Sequence, residues 1–411
     1  MNDISKTTGE DAPGLLQGIR VLDLTNVLAG PFCGYQLALQ GAQVIKVEIP
    51  DGGDLARQLG ASPELNERFM GASFLAQNAG KKSLTLDLKK PTGRDVFRRL
   101  VATADVVLEN FRPGVMNRLG LGYEILKAEK PDLIYCAISG FGQDGPLHKN
   151  PAYDQIIQGL SGVMSLTGES QSGPYRVGYP ICDTIGGITA AFSICAALYH
   201  RRITGAGQFL DVSMLDATLV TLGWPLSNWL IAGIAPQRMG NENVTASPSG
   251  TFRTGAGLIN IAANKQEQFE ILCRLLACAH LIEDPRFRHR EARKTNRAEL
   301  TALLETALVE RTAEAWEMLL NEAGVPAGRV LDLPDVLAHP HVVHRGITQK
   351  FDTVDGLDGP VTIVRAGFKV TGRQAEVANP PPGLGQHTDE LLGEVGYDAA
   401  AIATLRAEGT I

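Results

Sequence analysis

The chain has 411 residues, enough for two or three domains with a sizeable core. Hydrophobic residues make up 44% and charged residues 20%, an ordinary soluble composition. A net charge of -7 excludes a nucleic-acid binder that works through a broad basic field, though not a local basic pocket for a phosphorylated small ligand. Residues 1–14 are polar, lack the apolar stretch of a signal peptide and read as a frayed tail. Gly18–Leu24 reads as a strand, followed by a turn at Ala29-Gly30-Pro31 and a helix to about Gln40. Ala42–Glu48 is a second strand and Ser83–Leu88 a third. Pro91–Ala102 has helical spacing, with Val96, Leu100 and Val101 on its apolar side. Asp105–Glu109 is a strand, Val115–Glu129 mostly helix and Leu133–Ser139 a strand; helices follow over Asp154–Leu166 and Thr184–Arg201. This alternation implies an α/β fold with a mainly parallel sheet covered on both faces. In such sheets ligands bind beyond the carboxyl ends of the strands. Those ends are Thr25–Gly30, Glu48–Gly53, Glu109–Gly114 and Ser139–Pro146.

The middle of the chain changes character. Gln237–Gly250 is a polar loop, and Thr251–Ala263 reads as a hairpin turning at Thr254–Gly257. Residues 265–325 are helical and charged, which predicts a smaller domain. Strand signals return at Val361–Val364 and Ala366–Val370, and helices at Asp389–Val395 and Ala399–Ala407. Residues 1–220 and 345–411 are therefore expected to form a large domain, and 221–344 a small one with its linkers. The apolar run Ile185–Tyr199 is short, and Ser213–Pro236 is broken by Asp216 and Pro225, so both read as core helices rather than membrane spans. The cysteines are Cys33, Cys136, Cys182, Cys195, Cys273 and Cys278; none forms a C-x-x-C pair. Free buried thiols in a reducing cytoplasm fit this pattern better than disulfides or a zinc ribbon.

Asp183 is the most informative residue. It stands directly before the apolar Ile185–Tyr199 run, at the start of a buried helix. An Asp there ordinarily caps the helix by accepting backbone N–H bonds. The alternative is a carboxylate nucleophile at a point where helix N–H groups stabilise a developing oxyanion. Gly140-Phe141-Gly142-Gln143-Asp144-Gly145 matches G-x-G-x-x-G after a strand, but Pro146–Pro151 continues as loop where a dinucleotide fingerprint would open a helix. His339, His341 and His344 are interrupted by Pro340 and have no carboxylates nearby, which favours a surface segment over a metal site. No nucleophile elbow of G-x-S-x-G type is present. Lys81, Lys82, Lys89, Lys90, Arg112 and Arg118 cluster around strand ends, where cations either form a solvated face or bind phosphates. Phe111 among them would suit an adenine ring.

Several segments in order closely resemble the class III CoA-transferases, the family of formyl-CoA transferase and the carnitine CoA-transferases. They are Gly18–Pro31, Gln43–Glu48, Glu109–Gly114 (ENFRPG), Ile138–Pro146 (ISGFGQDGP), Ala152–Gly168, Asp183–Gly187, Gly324–Gly328 and Leu384–Leu391 (LGQHTDEL). The resemblance implies a Rossmann-like large domain, a smaller α+β domain and an interlocked homodimer, with the active site between the large domain of one chain and the small domain of its partner. It implies a CoA-transferase that moves CoA from an acyl-CoA thioester to a free carboxylic acid, with Asp183 as nucleophile. Asp183 would pass through an aspartyl anhydride and an aspartyl-CoA thioester, a sequence that keeps the acyl group activated if water is kept out. Neither a metal nor a nicotinamide is implied; coenzyme A enters as substrate, and no nucleic acid or membrane partner is called for. Carried over by motif, the CoA pocket comprises Asn26, Val27, Leu28 and Ala29, then Leu86 and Lys89, then Asn110, Phe111 and Arg118, with Gly140 and Phe141.

The chain departs from formyl-CoA transferase in placing Leu28 where a glutamine stands, Ile49 where a basic contact stands and Ser139 where a lysine stands. Met239–Gly250 takes the approximate place of the glycine-rich closing loop. The related α-methylacyl-CoA racemases use a His/Asp pair, and their histidine falls at Tyr153. A phenol holds its proton too tightly at neutral pH to serve that relay well, which favours transfer over racemisation. Asp154 beside it reads as a helix cap. The overall pattern is most similar to members that handle dicarboxylates such as succinate. A second substrate carboxylate calls for a cation, for which Arg176 and Arg253 are candidates.

Overall fold

The computed structural model describes residues 14–371 and 373–411. The tail expected to fray therefore lies, up to residue 13, outside the described residues. The chain divides into two compact units. The first runs up to Val163 and adds Arg176–Gly233 and Gly346–Ile411; the second comprises Met164–Tyr175 and Ile234–Arg345.

The first unit is built on six strands: β1 (Arg20–Asp23), β2 (Gln43–Glu48), β3 (Lys81–Thr85), β4 (Val106–Glu109), β5 (Ile134–Ser139) and β6 (Gln208–Ser213). Their order is β3-β2-β1-β4-β5-β6, and every neighbouring pair is parallel. This is the doubly wound order in which the chain reverses its direction of travel between β1 and β4. Strand residues alternate between two covered faces. Val21, Val44, Val106 and Ile134 pack with the Ala29–Leu39 and Ile181–Thr204 helices on one side. Leu22, Ile45, Val107 and Tyr135 pack on the other with Val96 and Leu100 of the Pro91–Ala102 helix and with Leu391, Leu392 and Ile402 from the C-terminal helices. Burial on both faces is why these strands read as continuous apolar runs.

Three departures from the sequence reading have physical causes. First, β6 carries no strong strand signal, since at the sheet edge its first four residues alternate between half-buried and exposed, yet it completes the sheet against β5. Second, β3 begins at Lys81, before the expected Ser83, pairing with Val44 of β2; a lysine can stand in this interior position because its ammonium is matched by Asp23 at 2.8 Å. Third, the helix expected over Asp154–Leu166 is interrupted after Leu160, where Gly162 turns into the left-handed region at φ 84°, and resumes over Val163–Leu166. The LGQHTDEL segment has a structural task. The Gly385 N–H donates to Ser83 Oγ at 2.9 Å, the His387 N–H to Ser83 O at 2.9 Å, and the Thr85 N–H to Thr388 Oγ1 at 3.1 Å, so the segment covers the free edge of β3.

The Ile181–Thr204 helix is, at 24 residues, long and apolar enough to cross a membrane by length and composition. Cys182, Gly186, Gly187, Ala190, Ile194, Ala197 and Leu198 are nevertheless buried along it, the stripe of a core helix.

The second unit is α+β. β7 (Ser249–Arg253), β8 (Leu258–Ala262) and β9 (Ala327–Arg329) form an antiparallel sheet. The β7–β8 turn falls at Thr254–Gly257, as expected, closed by the Thr254 hydroxyl donating to Gly257 O at 2.8 Å. Ile259 and Ile261 pack with Phe269, Leu272, Leu300, Leu304, Trp316 and Leu320 from the helices.

Candidate active site

The reversal between β1 and β4 leaves a crevice beyond the carboxyl ends of those two strands. A cavity of about 290 Å³ lies there. Its wall includes Asn26, Val27, Leu28 and Ala29 after β1, Asn110, Phe111 and Arg112 after β4, Ser139 and Gly140 at the end of β5, then Ala152, Tyr153, Asp183 and Met214. The two strand-end loops are tied together: the Asn26 N–H donates to Asn110 Oδ1, and the Asn110 amide donates back to Asn26 O, both at 2.8 Å.

Asp183 is not the cap of its helix. That helix starts at Ile181 after Pro180, so Asp183 is its third residue, and Pro180 offers no side-chain cap. The cap comes from another helix: Asp154 Oδ1 accepts from the backbone N–H of Cys182 at 2.8 Å and of Asp183 at 3.3 Å. Asp154 thus caps the Asp183 helix, while its own helix begins after Tyr153. Gln158, one turn on, donates to Asp154 Oδ2 at 2.7 Å and accepts from the Val177 N–H at 2.8 Å, fixing the carboxylate from behind. Both Asp154 and Gln158 are buried.

This leaves the Asp183 carboxylate uncommitted. Among the described residues its oxygens have no hydrogen-bond partner, and they face the cavity. Burial, with the Asp154 charge adding to it, pushes the Asp183 carboxyl up from 3.8 to about 7. Gly186 and Gly187 allow the helix to come this close. A Cβ on Gly187 would stand 2.5 Å from Ala29 O, and one on Gly186 would stand 3.0 Å from Met214 Cγ. Cys182 beside it is fully buried in the core, and burial raises its thiol, so it is no rival nucleophile.

The structure brings together eight of the motif-derived residues: Asp183, Asn26, Val27, Leu28, Ala29, Asn110, Phe111 and Gly140. The other four lie elsewhere. Leu86 is buried among Leu84 and Val96 in the core. Lys89 is exposed, with its N–H on Asp87 Oδ1. Phe141 packs partly buried against the sheet. Arg118 lines a second cavity of about 490 Å³ with Glu109, Tyr123, Lys149 and Phe209. There burial pushes the Glu109 carboxyl up to about 7. Met214, Pro151 and Ala152 were missed by sequence reasoning; Met214 follows the strand that carries little signal.

GFGQDG opens no helix, since the next one begins only at Asp154, and of its three glycines Gly140 is the one packed closely while Gly145 has open space around it. A Cβ on Gly140 would lie 2.3 Å from Ala152 Cβ. Lys81 and Lys82 are engaged by Asp23 and Glu390 and leave the cluster of free cations at the strand ends. Arg176 and Arg253 do not line the cavity. Among the described residues no group of three or more His, Cys, Asp or Glu side chains is placed to hold a metal ion.

CoA-transferase family III matches residues 16–388. The chain belongs to this family. It is 37% identical to the succinyl-CoA:glutarate CoA-transferase of Mus musculus, over 96% of this chain and 90% of that protein. It is 40% identical to the acetyl-CoA:oxalate CoA-transferase of Acetobacter aceti, over 88% of this chain and 92% of that one. Among solved structures, a CaiB/BaiF family protein from Brucella suis superposes with a TM-score of 0.81 at 37% identity, covering 93% of this chain and all of that one.

Proposed function

We propose that the protein transfers CoA from an acyl-CoA thioester to a free dicarboxylic acid, with Asp183 as the nucleophile. The observation that carries this is a carboxylate with no hydrogen-bond partner among the described residues, held at the wall of a cavity at the switch point of the sheet. Family membership and relatives named for succinyl, glutarate and oxalate CoA transfer support the substrate class.

In the first step an Asp183 oxygen attacks the thioester carbonyl carbon; the C–S bond breaks and CoA leaves as thiolate. The thiolate attacks the Asp183 acyl carbon of the resulting anhydride and releases the donor acid, leaving an aspartyl-CoA thioester. The acceptor carboxylate then displaces the thiolate, which attacks the acceptor's acyl carbon and frees Asp183. Each intermediate stays acyl-activated, so the site must exclude water. The apolar wall made by Val27, Leu28, Ala152 and Met214 serves that need. Asn26–Ala29, Asn110, Phe111 and Gly140 would hold the pantetheine arm. Coenzyme A is longer than this cavity, and Arg118, Lys89 and Phe141, with the main chain but not the buried side chain of Leu86, would serve its nucleotide end. The first unit would be the CoA-binding domain and the second the small domain of the family.

The protein would act as a homodimer. Ile188, Phe192, Tyr199 and Ile203 along the Asp183 helix, with Trp224, Trp229, Leu230 and Ile231, expose an apolar surface that calls for a partner copy. Six free thiols, five of them buried, support a reducing cytoplasm as its compartment. The test is mass spectrometry after mixing with succinyl-CoA or acetyl-CoA and hydroxylamine. The expected product is an adduct or hydroxamate at Asp183, absent from Asp183→Ala. Undiminished turnover in Asp183→Ala would refute the assignment.

A further inference from the structure

Beneath the cavity lies a buried charge network that the transfer steps do not use. Lys46 and Asp54 pair at 2.8 Å, and Lys81 and Asp23 pair at 2.8 Å; all four side chains are fully removed from solvent. The network is aimed at the loop after β1. Asp23 Oδ1 accepts from the Thr25 N–H at 3.0 Å, the Lys46 ammonium donates to Thr25 O, and the Lys81 ammonium donates to Pro31 O at 2.9 Å. Asp54 Oδ1 accepts from the N–H of Val27 at 2.9 Å and of Ala56 at 2.9 Å. Behind Asp54, its own N–H donates to Glu48 Oε2 at 3.0 Å, and Glu48 is held by Arg57 at 2.7 Å.

Val27 is the residue under constraint. Its φ is 69°, in the left-handed region that a β-branched residue rarely enters. Such a conformation persists only where its surroundings over-determine it, and strain of this kind concentrates at functional sites. Here the residue on each side of Val27 is part of the cavity wall that also carries Asp183. Burial alone would push the Asp54 carboxyl up, yet the Lys46 ammonium beside it holds it below its ordinary value, so the acceptor stays charged. Buried ion pairs stabilise a fold less than packed apolar side chains of similar volume. Stability alone is therefore a poor account of two of them under one loop.

We propose that Asp54 is a positioning residue for the acyl-CoA site: held by Lys46, it locks Val27 in the left-handed conformation and so sets the course of Asn26–Ala29 along the cavity. The identity of the ligand rests on the CoA-transfer reading; the locking of the loop does not. In Asp54→Asn one amide must face both the Lys46 ammonium and the Val27 N–H, and one of the two loses its acceptor. The loop then relaxes, and kcat/KM for the acyl-CoA donor falls about tenfold, through KM more than kcat. The dissociation constant of free CoA, measured by calorimetry, rises in parallel. Val27→Gly in the Asp54→Asn background recovers most of this loss, because glycine enters the left-handed region without a side-chain penalty.

Wild-type KM and CoA affinity in Asp54→Asn, or a double variant no better than the single one, would overturn the proposal. If Asp54→Asn does not fold, or if the wild-type protein binds no CoA and the transfer reading itself fails, the thermal midpoints of Val27→Gly and Val27→Ala still decide. The expected order is Gly above Ala; Ala above Gly would overturn the locked left-handed conformation.

Discussion

Replacing the nucleophile by its neutral isostere, Asp183→Asn, should stabilise the folded protein at alkaline pH while abolishing turnover. The native fold binds a proton at Asp183 more tightly than the unfolded chain does, because burial, and then the Asp154 charge, move the carboxyl from 3.8 to about 7. A group shifted this way costs nothing below both values, where it is protonated in either state. Its cost grows as pH rises through the window from about 4 to about 7, and above that the full amount is present. At about 1.4 kcal/mol per pH unit the shift corresponds to about 4 kcal/mol, an upper bound on what Asp183→Asn recovers. Urea unfolding of both proteins, followed by tryptophan fluorescence at pH 4.5 and pH 8, measures the difference. The variant should gain little at the lower pH and up to about 4 kcal/mol at the higher one. A gain of equal size at both values, or a loss at pH 8, would refute the placement of an ionised, unpartnered carboxylate in this cavity.

The same ionisation should govern rate. Only the carboxylate attacks, so kcat/KM should rise with pH through an acidic limb near 7. Asp154→Asn should move that limb to lower pH without returning it to the ordinary carboxylate range, since burial is the larger cause; a limb that does not move counts against Asp154 as a contributor. Gly187→Ala should cost about 1–3 kcal/mol, because the new Cβ meets the Ala29 carbonyl, which is backbone and has no rotamer to escape into. It should also depress activity by displacing Asp183 from the loop after β1. Thermal melts beside initial rates check both effects, and a variant as stable and active as the parent would show that the two helices do not meet as described.

Much of the large unit is legible from local pattern. The short apolar runs through Val21-Leu22 and Val106-Val107-Leu108, bounded by turn residues, mark strands without any knowledge of their neighbours, although both faces being apolar hides which residue goes to which side. The turn residues after β1 and β4 could be named as site loops because ligand position in an open parallel sheet follows from connectivity. Asp183 could be singled out because a carboxylate before an apolar run marks a helix start.

Its actual setting was not readable in that way. Asp154, which caps the Asp183 helix, lies 29 residues away in the chain, and no rule of spacing ties the two. Lys81 reads as a solvent-facing cation until its partner Asp23, 58 residues earlier, is seen beside it in the interior. Val27 can be placed in the pocket by motif, but its left-handed backbone is hidden until Asp54, 27 residues on, is seen holding its N–H. Sequence alone determined most of the periodic elements, the parallel character of the sheet and the loops at the strand ends, since these follow from local pattern and from the alternation of strand and helix along the chain. Tertiary structure alone decided which charges are buried, which carboxylate keeps free oxygens and how tightly it holds a proton, because desolvation and Coulomb forces depend on distance through space and not on distance along the chain.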